Sequence, residues 1–244
     1  MSRKWIVICV LVFILPGIAC AGTVQIDRKF SLGMFSASGN SQSLSISSDL
    51  FLNADIKHSQ EFTLKGHFDW GRSFGSDNMM KAGGSLRHGI SFGRKKYFFY
   101  NIEAEHDRFK DLYLRISPTV GMGYWFVDAD NIYSVIEASL GYQSEIRSSG
   151  QRGASALEGR HRVRIKLAPG SELSNDLRIS FADLGADDIR VSDIISLRSR
   201  INDVFNLKLI CRDDYSAKPP AGVVNNDLQF TASIEYAYKQ IKEE

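Results

Sequence analysis

Apolar and polar side chains alternate with a period of two along most of this chain, in about twelve separate segments. Successive strand residues point to opposite faces, so the pattern gives each segment one apolar face and one polar face. The segment 43–56 shows it well. Leu44, Ile46, Leu50, Leu52, Ala54 and Ile56 hold even positions, and Ser43, Ser45, Ser47, Asp49, Asn53 and Asp55 hold odd ones. Phe62, Leu64, Phe68 and Trp70 continue the apolar phase, against Glu61, Thr63, Lys65, His67 and Asp69. A transmembrane β-barrel carries this pattern, with lipid outside and a polar lumen inside.

Alternation predicts strands at 28–38, 43–56, 61–70, 80–92, 97–107, 112–126, 131–146, 160–168, 173–182, 189–201, 204–214 and 226–238. The expected fold class is therefore all-β, an antiparallel up-and-down transmembrane barrel of about twelve strands. Most segments reach the roughly 9–11 residues that a tilted strand needs to cross a bilayer. Even-numbered connections such as Lys57–Gln60, Gly93–Lys96, Val127–Asp130 and Pro169–Glu172 are short and rich in turn residues. The longest connections, 71–79, 147–159 and 215–225, all fall on the odd-numbered side. Short periplasmic turns and long outer loops are the habit of such barrels. Phe92, Phe98, Tyr124, Phe126, Tyr236 and Tyr238 should line one rim, with Trp70 and Tyr142 toward the other, as interfacial girdles.

The ends fit export. Arg3 and Lys4 precede an apolar run from Trp5 to Leu15, then Pro16-Gly17 and Ala19-Cys20-Ala21. These are the parts of a cleaved signal peptide over residues 1–21. Cys20 would be the acylated residue of a lipoprotein, but Gly17 stands where a large aliphatic is usual. The barrel domain is expected over 22–238, with a polar tail at 239–244. Of 30 basic residues two leave with the signal, so 28 face 28 acidic ones, which argues against nucleic acid as a partner. Cys211 remains alone, and a solitary Cys on the apolar phase is read as a small hydrophobe.

The stretch from Phe30 to Tyr238 resembles the YdiY-like salt-induced outer membrane protein family, a bacterial domain of unknown function (DUF family 481). The resemblance rests on Ser38-Gly39-Asn40-Ser41, the block from Tyr100 to Phe126, Ser139 to Glu145, Asn206-Leu207-Lys208 and the closing segment from Asn226. It implies a barrel in the cell outer membrane, with outer-membrane lipid and the barrel assembly machinery as partners, and no known substrate. One departure is that Lys239–Glu244 follow Tyr238, where such chains commonly end on an aromatic residue.

No C-x-x-C, H-E-x-x-H or phosphate loop occurs. No catalytic residue, metal or cofactor is therefore assigned, and a non-enzymatic protein is expected. Gly121 and Gly123 lie on the lumen phase, where they relieve crowding or bend the wall. His67 beside Asp69 is the one inward His–Asp pair, and it keeps a membrane-embedded hydrolase open as an alternative. A secreted soluble β-domain binding an apolar ligand is a second alternative.

Lumen charge is more informative. Strands over 97–146 turn Glu103, Glu105, Asp107, Glu137 and Glu145 inward, with Arg115 the main cation. Strands over 160–214 turn in ten cations, including Arg162, Arg164, Lys166 and Arg178. The interior should thus be acidic on one wall and basic on the other. The candidate lumen cluster is Glu103, Glu105, Asp107, Arg115, Arg162, Arg164 and Lys166, with Arg115 paired to Glu103 or Glu105. Either the charges pair and fill the barrel, or water remains and the field acts on passing solutes. Twelve strands lie between filled and open sizes. The expected role is a non-catalytic outer-membrane barrel of structural, envelope-stress or weak pore character.

Overall fold

The computed structural model describes residues 24–37, 43–56, 59–182, 188–219 and 225–242. The expected signal peptide and Ser38–Ser41 lie outside them. The strands are β1 (Val24–Ala37), β2 (Ser43–Ile56), β3 (Gln60–Ser73), β4 (Ser76–Phe92), β5 (Lys96–Asp107) and β6 (Leu112–Asp128), then β7 (Ile132–Arg147), β8 (Gly150–Ala168), β9 (Ser171–Ala182), β10 (Ile189–Arg200), β11 (Phe205–Ser216) and β12 (Asn226–Lys242). Each pairs antiparallel with its neighbours, and β1 closes on β12 from Val24↔Lys242 to Gly33↔Ser233. Both ends of this closing pair lie at one rim, here called the terminal rim; the opposite rim is the far rim.

The two phases resolve as inside and outside. Leu86, Ile102, Val120, Met122 and Ile136 stand exposed on the outer wall, as do Leu140 at 57% and Phe230 at 71%. Thr63, Asp69, Ser117, Glu137, Ser139, Glu145 and Glu235 are buried within. A water-soluble β-domain would have the opposite arrangement. The soluble ligand-binding alternative is therefore set aside. The girdle aromatics Phe92, Tyr124, Phe126, Tyr142, Tyr236 and Tyr238 are all exposed on this wall.

Two expectations about connections are corrected. The segment 147–159 is not a loop: β8 begins at Gly150 and pairs with β7 from Arg147, leaving a turn at Ser148-Ser149. Likewise 71–79 shrinks to a turn at Phe74-Gly75, both with positive φ (47° and 80°). Alternation lapses in Gly150–Gly159 because small and polar residues dominate there. Backbone pairing continues without it, and β8 reaches 19 residues. β12 also runs on to Lys242 opposite Val24, so most of the expected polar tail 239–244 belongs to the closing strand.

One patch of the outer wall breaks the phase rule. Asp193 and Asp213 lie on the outward phase as direct cross-strand partners, on the same phase as exposed Ile195 and Tyr215. Asn175 Nδ2 donates to Asp193 Oδ1 at 2.5 Å, whereas Asp213 Oδ1 is buried without a hydrogen bond among the described residues. Like charges directly opposed on a sheet are destabilising. Asp213→Asn should therefore raise stability by about 0.5–1 kcal/mol in reversible urea unfolding from lipid vesicles. Asp214→Asn should lower it, since Asp214 points inward and accepts from Ser192 Oγ at 2.6 Å.

Candidate functional site: the ion-paired lumen

Near the terminal rim the lumen is narrowed by aromatics. Tyr97 and Phe99 of β5 lie flat over Gly123 and Gly121, their partners on β6. A Cβ on Gly121 would come within 2.6 Å of Phe99 Cζ, and one on Gly123 would run into the Tyr97 ring. These glycines are thus spaces for aromatic rings. Val135, Trp125 and Tyr133 complete the cluster, and Trp125 Nε1–H donates to Tyr133 Oη at 3.2 Å. The Arg87 guanidinium sits 3.7 Å above the Phe99 centroid, a cation–π contact.

Glu137 is the hub of this layer, with 3% of its side chain exposed. Arg87 binds both its oxygens at 2.7 and 3.2 Å. Arg162 Nη2 and the Tyr97 hydroxyl also donate to it, and Arg160 approaches to 4.0 Å. Three strands, β4 and β5 on one side of β7 and β8 on the other, converge on one carboxylate, so a charge drawn from water is compensated by arginines and a hydroxyl.

The middle layer spans the lumen. Arg178 of β9 grips both oxygens of Glu103 on β5 at 2.8 and 3.0 Å, and Arg160 grips Asp176 at 2.6 and 2.5 Å. Toward the far rim Arg115 joins Glu105 (2.8 Å) to Glu145 (2.9 Å), and Arg190 and Arg147 also reach Glu145. Lys81 lies between Glu105 at 3.7 Å and Asp214 at 3.8 Å.

The seven candidate residues do not form one cluster. Arg115 does pair with Glu105, its direct cross-strand partner. Glu103 and Arg162 sit at different heights and take different partners. Asp107 is buried but caps a turn, accepting from the Phe109 and Lys110 amides at 3.1 Å each. Arg164 is 57% exposed, 3.7 Å from Glu172. Lys166 is exposed and lines neither cavity described below. Arg87, Tyr97 and Glu137, the centre of the tightest layer, were outside that cluster. Arg87 was legible as an inward cation of β4, beside the acidic wall.

At the far mouth the β5–β6 turn, residues 108–111, bends across the opening. Lys110 Nζ lies 2.9 Å from Asp227 on β12, on the opposite wall. Arg147 Nη1 donates to the Lys110 carbonyl at 2.7 Å and Ser148 Oγ to Asp111 at 2.5 Å, fixing the base of this strap. Burial disfavours the Lys110 ammonium, but the hydrogen bond and charge of Asp227 outweigh it and hold its pKa above the usual lysine value.

Space remains between the layers: one cavity of about 600 Å³ toward the far rim and one of about 810 Å³ toward the terminal rim. They meet at a belt containing Lys65, Glu103, Arg160, Asp176 and Arg178, which line both. Hydrolytic geometry is not assembled at His67, whose Nε2 is buried with no hydrogen-bond partner among the described residues. A Ser134–His161 contact of 3.0 Å lies on the outer wall, without an acid to orient the imidazole among the described residues. No group of side chains with metal-ligand geometry occurs among the described residues.

A closed twelve-stranded barrel, apolar outside and ionic within, has the architecture of a transmembrane β-barrel. The chain belongs to the family described as protein of unknown function, DUF481, whose model matches residues 30–238. Its fold is similar to the NanC porin, with a TM-score of 0.50 and 6% identity over 91% of this chain and 99% of that one. It is similar also to an outer-membrane channel from Pseudomonas putida F1, with a TM-score of 0.50 and 10% identity over 93% and 100%. The KdgM porin matches over 88% and 99% at 8% identity, with a TM-score of 0.47. At these identities the likeness is one of fold. No curated protein matches the chain in sequence.

Glu137→Gln should cost about 3–5 kcal/mol, because it leaves buried arginines without their counter-charge. Lys166→Gln should leave stability unchanged. Urea unfolding of the two variants in vesicles checks the contrast.

Proposed function

We propose that this protein is a narrow, internally braced pore of the bacterial outer membrane that passes small ions and polar solutes without catalysis. Residues 1–21 direct its export, and the barrel assembly machinery inserts it with the terminal rim facing the periplasm. The observation that carries this reading is the pair of abutting cavities: cross-lumen ion pairs brace the barrel, yet water-sized space lies on both sides of the belt. The apolar outer wall and its aromatic girdles support placement in lipid. The similarity to porin and channel folds agrees with it. A structural, envelope-protective barrel without conductance is the second reading, favoured by the Glu103–Arg178 and Lys110–Asp227 pairs that cross the lumen and its mouth.

The protein should fractionate with outer membranes and migrate differently on gels before and after boiling. In planar bilayers it should give small conductance steps, and Asp227→Asn should increase them by releasing the strap. Absence of steps from both the wild type and Asp227→Asn would reject the pore and leave the structural reading.

A further inference from the structure

We infer that the belt between the two cavities is a binding site for a compact oxyanion, such as a phosphate or carboxylate group, with Lys65 as its central ligand. The inference deepens the pore reading and names the solute class that the lumen selects. It starts from an imbalance of charge. Among the ionisable residues that line both cavities are four cations, Lys65, Arg160, Arg178 and Lys208, against two acids, Glu103 and Asp176. Both acids are already taken. Arg160 engages both oxygens of Asp176, and Arg178 engages both oxygens of Glu103 and lies 3.6 Å from Glu158. Lys208 lies 3.8 Å from Asp49.

Lys65 makes no ion pair or hydrogen bond among the described residues. Its direct strand neighbours are Phe51 and Ser85, so neither carries a counter-charge. The residue is exposed and lines both cavities. Arg160, Arg162 and Arg178 repel the Lys65 ammonium and the Asp176 carboxylate attracts it, so cations outnumber acids around it, and an anion entering from either cavity relieves that repulsion. Hydroxyls complete the site. Ser174 and Ser196, bonded to each other at 2.7 Å, line both cavities together with Ser85. Ammonium, guanidinium and hydroxyl groups are donors suited to an oxyanion, and basic belts of this kind select anions in other pores. A bulky solute would be stopped at the bidentate pairs. A compact anionic group fits the space that they leave.

The test has two independent readouts on the folded full-length barrel. The first is the effect of inorganic phosphate on thermal stability in detergent, against chloride at equal ionic strength. Phosphate should stabilise the wild type and Lys65→Arg. In Lys65→Gln the half-saturating phosphate concentration should rise roughly tenfold or more, the size expected for losing one charge-assisted hydrogen bond. Lys65→Met carries the same test should the glutamine variant fold poorly, and Lys166→Gln is the control that should behave as wild type. The second readout is the reversal potential in a KCl gradient. The wild type should favour chloride, and Lys65→Gln should fall toward no preference. A wild type indifferent to phosphate, or a Lys65→Gln variant that keeps the full phosphate response, overturns the site. Conductance whose selectivity ignores Lys65 refutes the site and leaves the pore standing. A Lys65-dependent phosphate response in a protein that never conducts upholds the site and refutes the pore.

Discussion

Backbone amides and carbonyls facing hydrocarbon have no water to turn to, so a sheet in a membrane must have no open edge. That requirement makes β1 pair with β12, and the rest of the structure follows from the closure. Closing a sheet forces its strands to tilt and its hydrogen-bonded rows to climb. One row can be followed here. It passes from Tyr97 through Gly123, Glu137, Arg160, Arg178, Ser192 and Asp214 to Asp227. It begins one residue inside the terminal end of β5 and finishes one residue inside the far end of β12. Residues that look level in a flat drawing of the strands are therefore at very different depths.

The climb explains how a lumen with so many charges is satisfied. Neighbouring cations such as Arg160 and Arg178 share a row, yet each reaches a different acid, Asp176 and Glu103. Glu137 collects Arg87 from β4 and Arg162 from β8, neither of which shares its row, because the stagger brings them to its height. Removing charges from water is costly, and pairing them inside a narrow lumen offsets that cost only where hydrogen bonds saturate both partners. The bidentate pairs meet that condition. At the terminal rim the same space is occupied by aromatic rings, admitted by glycines on the facing strand.

Bracing and openness coexist because the layers are separated by height. Paired charges at the Glu137, Glu103 and Glu145 levels leave a cavity on each side of the belt. The far mouth adds a second cross-lumen tie, where the 108–111 turn is joined to β12. The polar lumen is therefore narrowed by ion pairs at the belt and strapped at one mouth.

Much of this was legible in the residues alone. The period of two gave twelve strands, the outward and inward faces, and an acidic wall facing a basic one, because side-chain direction in a strand is a local property. It missed the first half of β8 and the end of β12, where strand pairing persists without an apolar face to announce it. Arg115 with Glu105 was readable as a hairpin neighbour. The partners of Glu103 and Arg162 were not, since they depend on depth and depth depends on the stagger of the closed barrel. What the sequence by itself determined is therefore which residues face the lumen. Only the tertiary structure decided which of them meet, because cross-lumen contacts are set by closure and tilt, which belong to all twelve strands together.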